Sequence, residues 1–409
     1  MSIATRTLIP AAALLLAATP AQAEWVASWT ASPHAPLGSE GPFAAANFEN
    51  VTLSQVVRIT EGGSELRVRL TNRYGDRPLV IGKARVYRIY DDGREIRASG
   101  RQLTFGGEEG AVIPRGSPFV SDVVDLRTED FDRLVIVLYL PEETGPCTCH
   151  LTGLDTLSVS PEGDHVWGQW EPVSTAQHRA FLSAVEVNSD DAMGTIVTFG
   201  DSITDGVGST PGENRRWPDV LAERLEEAGL EYAVANAGIS GNRLLSPGMG
   251  ESALARLEDD VFSLPNVTQM IVFIGVNDLG NRFGPERPGF PGLTLDQPEI
   301  DVAQMIAGYR QIVARAHERG IEVIGAPIGP YKGAMYWSEK GEAARQAIND
   351  WIVNSGEFDA VTRLDLAFAE PGDPSTMREG YHMGDFLHGS DAGLRAVGES
   401  IDLELFAPD

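Results

Sequence analysis

Four short stretches of the chain collect residues of the kinds that move acyl groups. They are Phe199-Gly200-Asp201-Ser202-Ile203-Thr204, Ala235-Asn236-Ala237-Gly238-Ile239-Ser240, Ile274-Gly275-Val276-Asn277-Asp278 and Asp385-Phe386-Leu387-His388. A serine hydroxyl is a weak nucleophile and needs a base within hydrogen-bond reach, which a neutral imidazole can supply. The imidazole in turn needs an acceptor on its other nitrogen to fix its tautomer and to stabilise the cation that forms. Asp385 and His388, three residues apart, can be brought together by one local turn. Charge developing on the attacked carbonyl oxygen needs donors already aimed at it. The backbone N–H groups of Ser202 and Gly238 and the side-chain amide of Asn277 are suited to that task. Each stretch alone also has a structural reading, because Gly, Asp, Asn and Ser are favoured in turns and caps. Their combination and order carry the chemistry.

These residues need a scaffold that delivers them to one place. From 25 to 187 the pattern is that of a sheet protein. Residues 65–72 alternate, with Leu66, Val68 and Leu70 on one face and Arg67 and Arg69 on the other, which predicts a half-buried strand. Further strands are predicted over 55–59, 79–90, 120–126 and 133–140, separated by turns such as Asp91-Asp92-Gly93. Short strands at regular spacing predict an all-β sandwich. The pattern changes at the polar tetrapeptide Asn188-Ser189-Asp190-Asp191, read as a linker. Beyond it, strands over 195–199, 232–236, 269–274 and 321–326 alternate with helices over 217–228, 251–262, 301–319, 339–354 and 391–405. Such β-α repetition predicts a parallel sheet covered on both faces, with ligands beyond the carboxyl ends of its strands. The predicted division is a leader over 1–23, a β-sandwich domain over 24–190 and a catalytic domain over 191–409.

The four blocks, in this order, resemble those of the SGNH (GDSL-type) esterases and lipases over about 195–409. The resemblance implies a flavodoxin-like doubly wound α/β fold. It implies Ser202 as nucleophile, His388 as base and then acid, and Asp385 as its orienting carboxylate, with Ser202, Gly238 and Asn277 forming the oxyanion hole. Family members often have Pro after the catalytic His, whereas this chain has Gly389, a difference in loop stiffness and not in a reacting group. No G-x-S-x-G pentapeptide is present, which argues against an α/β-hydrolase elbow. The N-terminal half, with Trp25-Val26-Ala27-Ser28-Trp29, more loosely resembles the extra β-domain of exported members, some associated with xylan breakdown. It suits a structural appendage, a lid or a glycan-binding module.

Arg6, the apolar run from Leu8 to Ala18 and Ala21-Gln22-Ala23 read as a secretory leader cleaved after Ala23, so the protein is expected to be secreted or periplasmic. No later segment has 18 uninterrupted apolar residues, so stable membrane insertion is not expected. Lys and Arg number 32 against 59 Asp and Glu, a formal charge of -27 that repels phosphate backbones, so nucleic acid is not an expected partner. The two cysteines, Cys147 and Cys149, can form a local disulfide after export or remain free thiols. With His150 they supply too few ligands in too tight a run for a metal site, and no metal or organic cofactor is expected.

Loops over 279–299, with Phe283 and Phe290, and over 329–337 are expected to shape the pocket. Asp201, Asp278, Tyr331, Tyr336, Trp337 and Tyr381 are candidate substrate contacts. His382 competes with His388 as base but lacks the spacing to Asp385. The expected reaction is hydrolysis of carboxylic esters through an acyl-enzyme, losing activity at acid pH because only neutral imidazole accepts a proton. Acetyl esters of carbohydrates or small alcohols are the first expectation. Arylesterase or lysophospholipase activity on longer chains, acyl transfer to a sugar, and a glycan-binding protein with a non-catalytic hydrolase domain are the alternatives.

Overall fold

The alternation along 65–72 buries Leu66, Val68 and Leu70 on one face of a strand, and a partner sheet covers them. The architecture is that of a computed structural model, which describes residues 24–38, 45–96, 98–285 and 300–408. The leader over 1–23 and Phe290, with 286–299 of its loop, lie outside the described residues.

Two antiparallel sheets build the N-terminal region. One runs β1 (Glu24–Thr30), β14 (Leu182–Ser189), β3 (Glu65–Thr71), β8 (Pro118–Val120). The other runs β12 (Ser174–Ala176), β11 (Leu157–Glu162), β2 (Val51–Arg58), β9 (Arg133–Leu140), β5 (Lys83–Ile89), β6 (Arg101–Leu103). Val26, Val68 and Val185 from the first sheet share one core with Leu53, Val86, Ile136 and Leu157 from the second, which makes the pair a sandwich. Two ribbons complete it, β4 (Leu79–Ile81) with β7 (Ala111–Ile113), and β10 (Cys149–His150) with β13 (Arg179–Ala180).

Three local expectations are corrected here. The strand predicted over 79–90 is two strands, because Gly82 donates to Tyr139 O between them. The strand predicted over 120–126 stops at Val120, where the Asp122 carboxylate turns away to accept from Gly106 N, Gly107 N and Thr104 Oγ1. The linker predicted at Asn188-Ser189-Asp190-Asp191 begins inside β14, whose Asn188 pairs with both Trp25 and Glu65. Polarity there reflects a strand end and not a flexible joint.

The C-terminal region holds a five-stranded sheet in the order β16 (Tyr232–Gly238), β15 (Gly194–Gly200), β17 (Val267–Phe273), β18 (Glu322–Gly325), β19 (Ala360–Val361), parallel throughout. Every residue of β15 is buried, as a central parallel strand requires. The helices are α1 (Ser202–Asp205), α2 (Trp217–Glu227), α3 (Ala253–Leu257), α4 (Val276–Phe283), α5 (Val302–His317), α6 (Glu339–Asn354), α7 (Leu364–Phe368) and α8 (Asp391–Ser400). A small hairpin joins β20 (Ala369–Glu370) to β21 (Asp373–Met377). Pro218 sits in the first turn of α2, where its missing N–H costs nothing. The helix predicted over 251–262 changes to π geometry at Glu258–Phe262, and that predicted over 391–405 ends at Ser400 before a 3₁₀ turn, Leu403–Phe406.

The two regions are joined along the sheet edge. Edge strand β16 offers unpaired backbone groups, and side chains of the sandwich take them: Val234 N donates to Thr60 Oγ1 at 3.0 Å, and Thr30 Oγ1 donates to Asn236 O at 2.8 Å. Ala27 N donates to Thr195 Oγ1 at 3.0 Å beside them. Glu61 lies on this seam, 4% exposed, accepting from Ser189 Oγ at 2.8 Å. Burial, with Asp130, Glu231 and Asp191 nearby, pushes its carboxyl up to about 8. A folded pKa above the unfolded one contributes stability that is full below about pH 4.5 and is lost as pH rises through about 8. Glu61→Gln is therefore expected to match wild type in urea midpoint at pH 5 and to exceed it at pH 9. Equal midpoints at pH 9 would refute this.

Candidate active site

Ser202 stands at the first turn of α1, directly after β15, so the buried strand end aims it at the rim of the sheet. Asp201 caps that helix, its carboxylate accepting from Ile203 N at 3.1 Å. His388 arrives from the loop before α8. Its Nε2 is 2.9 Å from Ser202 Oγ, and its Nδ1 is 2.6 Å from Asp385 Oδ2. Asp385 Oδ1 also accepts from Leu387 N at 3.1 Å and His388 N at 3.0 Å, which closes the turn that holds acid and base together. Burial raises this carboxyl, but the bonds from His388 and Leu387 outweigh it and hold the pKa down at about 2. Between them Phe386 takes a left-handed conformation, φ 60°, which a bulky side chain adopts only where its surroundings impose it.

His382 is not a second base. Its Nδ1 accepts from Gly384 N at 3.0 Å and from Phe386 N at 3.4 Å, and its ring stacks on Phe386 with centroids 4.4 Å apart. That histidine builds the turn.

Asn277 lies in the first turn of α4, with Nδ2 donating to Asn242 O at 3.0 Å and Oδ1 accepting from Tyr336 OH at 3.4 Å. These two bonds orient the amide and leave one of its N–H groups for the cavity. Gly238 is placed differently from expectation. Its N–H is taken by Asn236 Oδ1 at 2.9 Å, and a Cβ there would sit 2.3 Å from Asp205 N, so glycine serves close packing of β16 against α1. Gly241, three residues on with φ 74°, lines the cavity beside Ser202 and Asn277. Among the described residues no acceptor takes the N–H of Gly241 or of Ser202. The Gly238 N–H is therefore not available as the oxyanion donor expected of it, and Gly241 presents a candidate N–H in its place. A signal existed in the sequence, since Gly241 follows the same strand, but which of two glycines keeps a free N–H depends on the Asn236 side chain.

These groups open onto a cavity of about 720 Å³, a size that fits a small organic ester. Thr152, Gln177, His178, Arg243 and Asn281 supply polar walls, and Met249, Met335 and Phe386 apolar ones. Leu151, Thr152, Gln177 and His178 come from the N-terminal region, a contribution that no local sequence pattern announced.

Of the six candidate substrate contacts only Tyr336 lines this cavity. Asp201 is occupied as a cap, and burial raises its pKa to about 7. Asp278 accepts from Leu244 N at 2.8 Å, with burial raising it to about 6. Tyr331 is fully buried, its ring tilted against that of Tyr336 with centroids 6.0 Å apart. Trp337 packs against the hydrophobic core, and Tyr381 lies under the Arg378 guanidinium at 4.9 Å. Cys147 and Cys149 are joined as a disulfide, which removes both thiolates from any Cys-Thr-Cys-His metal site.

No match was found among curated proteins. Among solved structures the chain is similar to a lipase/acylhydrolase from Enterococcus faecalis, at 22% identity over 52% of this chain and 96% of that one, with a TM-score of 0.39. It is also similar to a catalytic mutant of an acetylxylan esterase from Geobacillus stearothermophilus, at 19% identity over 53% of this chain and 96% of that one, TM-score 0.39. Residues 198–396 match the GDSL-like lipase/acylhydrolase family, a span that begins within β15 just ahead of Ser202 and ends within α8 just after His388. Residues 198–396 are thus a GDSL-like lipase/acylhydrolase domain, and the chain that carries it is a carboxylic ester hydrolase.

Proposed function

We propose that this protein is an exported serine esterase, with a catalytic domain over 191–409, that hydrolyses short-chain, chiefly acetyl, esters of carbohydrates or small alcohols. The observation that carries the mechanism is His388 bridging Ser202 Oγ and the Asp385 carboxylate at the floor of an open cavity.

Ser202 Oγ attacks the ester carbonyl as His388 Nε2 takes its proton, and Asp385 stabilises the imidazolium through Nδ1–H. The carbonyl oxygen, now anionic, is received by Ser202 N–H, Gly241 N–H and the remaining Asn277 amide N–H, all positioned before the charge develops. His388 returns the proton to the departing alcohol, leaving an acyl-serine. The same histidine then activates water, and hydrolysis releases the acid and restores the serine. Ser202, His388, Asp385 and the three donors complete the cycle among themselves.

The polar wall formed by Thr152, Gln177, His178 and Asn281 supports a hydroxyl-rich alcohol portion, whose groups need hydrogen-bond partners once desolvated. A second reading, arylesterase or lysophospholipase activity, is favoured by Met335 and Phe386, which are 63% and 39% exposed where they line the same cavity. A p-nitrophenyl ester series from acetate to octanoate tests the two. The expected result is a kcat/KM that falls steadily with chain length. A maximum at octanoate would overturn the acetyl assignment and favour the second reading.

A further inference from the structure

The N-terminal region reaches the reacting centre by a second route, beneath the cavity. His150 follows the disulfide-bonded Cys149 on β10 and is buried. Its Nδ1 is 2.8 Å from Ser32 O, and its Nε2 is 3.0 Å from Asp205 Oδ1. A carbonyl and a carboxylate oxygen both accept, so the ring satisfies both only when it carries two protons. Burial opposes that charge, but the facing Asp205 carboxylate and the Ser32 carbonyl outweigh it and raise the pKa of the ring.

Asp205 is the last residue of α1, the helix that begins with Ser202. Its second oxygen, Oδ2, accepts from Ser240 N at 2.8 Å and Ser240 Oγ at 2.7 Å. With that hydroxyl proton committed to the carboxylate, Thr152 Oγ1 donates to Ser240 Oγ at 2.7 Å. Ser240 immediately precedes Gly241. One carboxylate therefore ties the nucleophile's helix to the backbone that presents an oxyanion donor, and His150 holds that carboxylate from the other region.

We propose that His150 is a positioning residue for ester hydrolysis, fixing Asp205 so that Ser240 and the following Gly241 N–H are held in register with Ser202. The proposal rests on the reading of Ser202 as nucleophile and Gly241 as oxyanion donor. It makes the sandwich a working part of the active site, since the chain order Cys149–His150 places the ring on a ribbon strand of that region.

The test uses the full chain with p-nitrophenyl acetate. His150→Phe keeps a ring but loses both hydrogen bonds. It is expected to lower kcat about tenfold to a hundredfold with KM within about twofold, because a displaced oxyanion donor is felt mainly in the transition state. Combining it with Ser240→Ala is expected to cost less than the product of the two single effects, as for residues on one path. A kcat within about threefold of wild type, whatever the melting temperature, or a raised KM at unchanged kcat overturns the proposal. Should His150→Phe fail to fold, His150→Gln, which keeps an amide donor for Asp205, is expected to retain kcat within about threefold, and a loss of about tenfold or more in the folded variant overturns the proposal. If Ser202→Ala keeps full activity the esterase mechanism itself fails; if Ser202→Ala is inert and His150→Phe is not impaired, only the positioning role fails.

Discussion

Ser202→Ala is expected to lower kcat for p-nitrophenyl acetate by at least about 10⁴-fold while the protein stays folded. The side chain is 4% exposed and its hydroxyl contacts His388 Nε2, so the substitution removes one oxygen and one hydrogen bond from a helix start that Asp201 still caps. Little else in the fold depends on that atom, and circular dichroism and melting temperature should be close to those of wild type. His388→Ala should cause a comparable loss, and the double variant should fall scarcely further, because nucleophile and base act as one unit. Some acceleration over water should survive in all three, supplied by the Asn277 amide and the free backbone N–H groups. Full activity in purified Ser202→Ala would remove the mechanism. Additive losses in the double variant would mean that the two residues serve different steps.

The second large effect concerns stability. Arg256 on α3 is 1% exposed and lies under the carboxyl ends of two strands. Its Nη2 donates to Gly200 O at 2.9 Å, its Nη1 to Ala237 O at 2.8 Å, and its Nε to Asn242 Oδ1 at 3.0 Å. Its charge is balanced by Asp260, 2.9 Å away and also buried. Burial lowers the pKa of the arginine and raises that of the aspartate, so each charge is disfavoured by its surroundings and depends on the other.

Arg256→Met is therefore expected to cost about 3–5 kcal/mol, chiefly because buried Asp260 loses its nearest counter-charge and keeps only Arg73 at 3.9 Å. Arg256→Met with Asp260→Leu should recover a large part of that, since removing both charges abolishes the desolvation cost. Urea midpoints of the three variants are the measurement. A double variant no more stable than Arg256→Met would show that the strand-end carbonyls, and not the ion pair, carry the energy. Because Gly200 and Ala237 lie only a few residues before Ser202 and Gly241, any surviving Arg256→Met protein should also lose activity.

How much of this was legible in the residues depends on the distance over which each feature is determined. The alternating strands and helices after 191 could be read because burial on a sheet imposes local periods, and β15, α2, α5 and α6 lie close to where those periods place them. The blocks that hold Ser202, Asp385, His388 and Asn277, to which we assign the chemistry, could be picked out because each lies next to a strand end or a helix start. Asp385 and His388 even share one turn.

The glycine proposed as oxyanion donor could not be chosen that way. Gly238 and Gly241 both follow β16, and only the folded loop shows Asn236 consuming the N–H of the first. Asp201 and Asp278 are candidate substrate contacts by sequence, since they lie in the same short blocks as Ser202 and Asn277. In the structure their oxygens are spent on Ile203 N and Leu244 N, because a buried helix start and a buried loop must satisfy their own backbone donors first.

The sequence alone thus determined the candidate residues, a serine, a histidine, an aspartate and an amide in short blocks, and the β-α order that delivers them. Only the tertiary structure decided the company they keep. His150, Thr152, Gln177 and His178 reach the site from more than a hundred residues away from His388, and Thr30 and Thr60 close the edge of a sheet that lies far along the chain. Those contacts follow from the packing of one region on the other, where unpaired backbone groups and buried charges must find partners wherever the fold supplies them, and no local period records which partners those are.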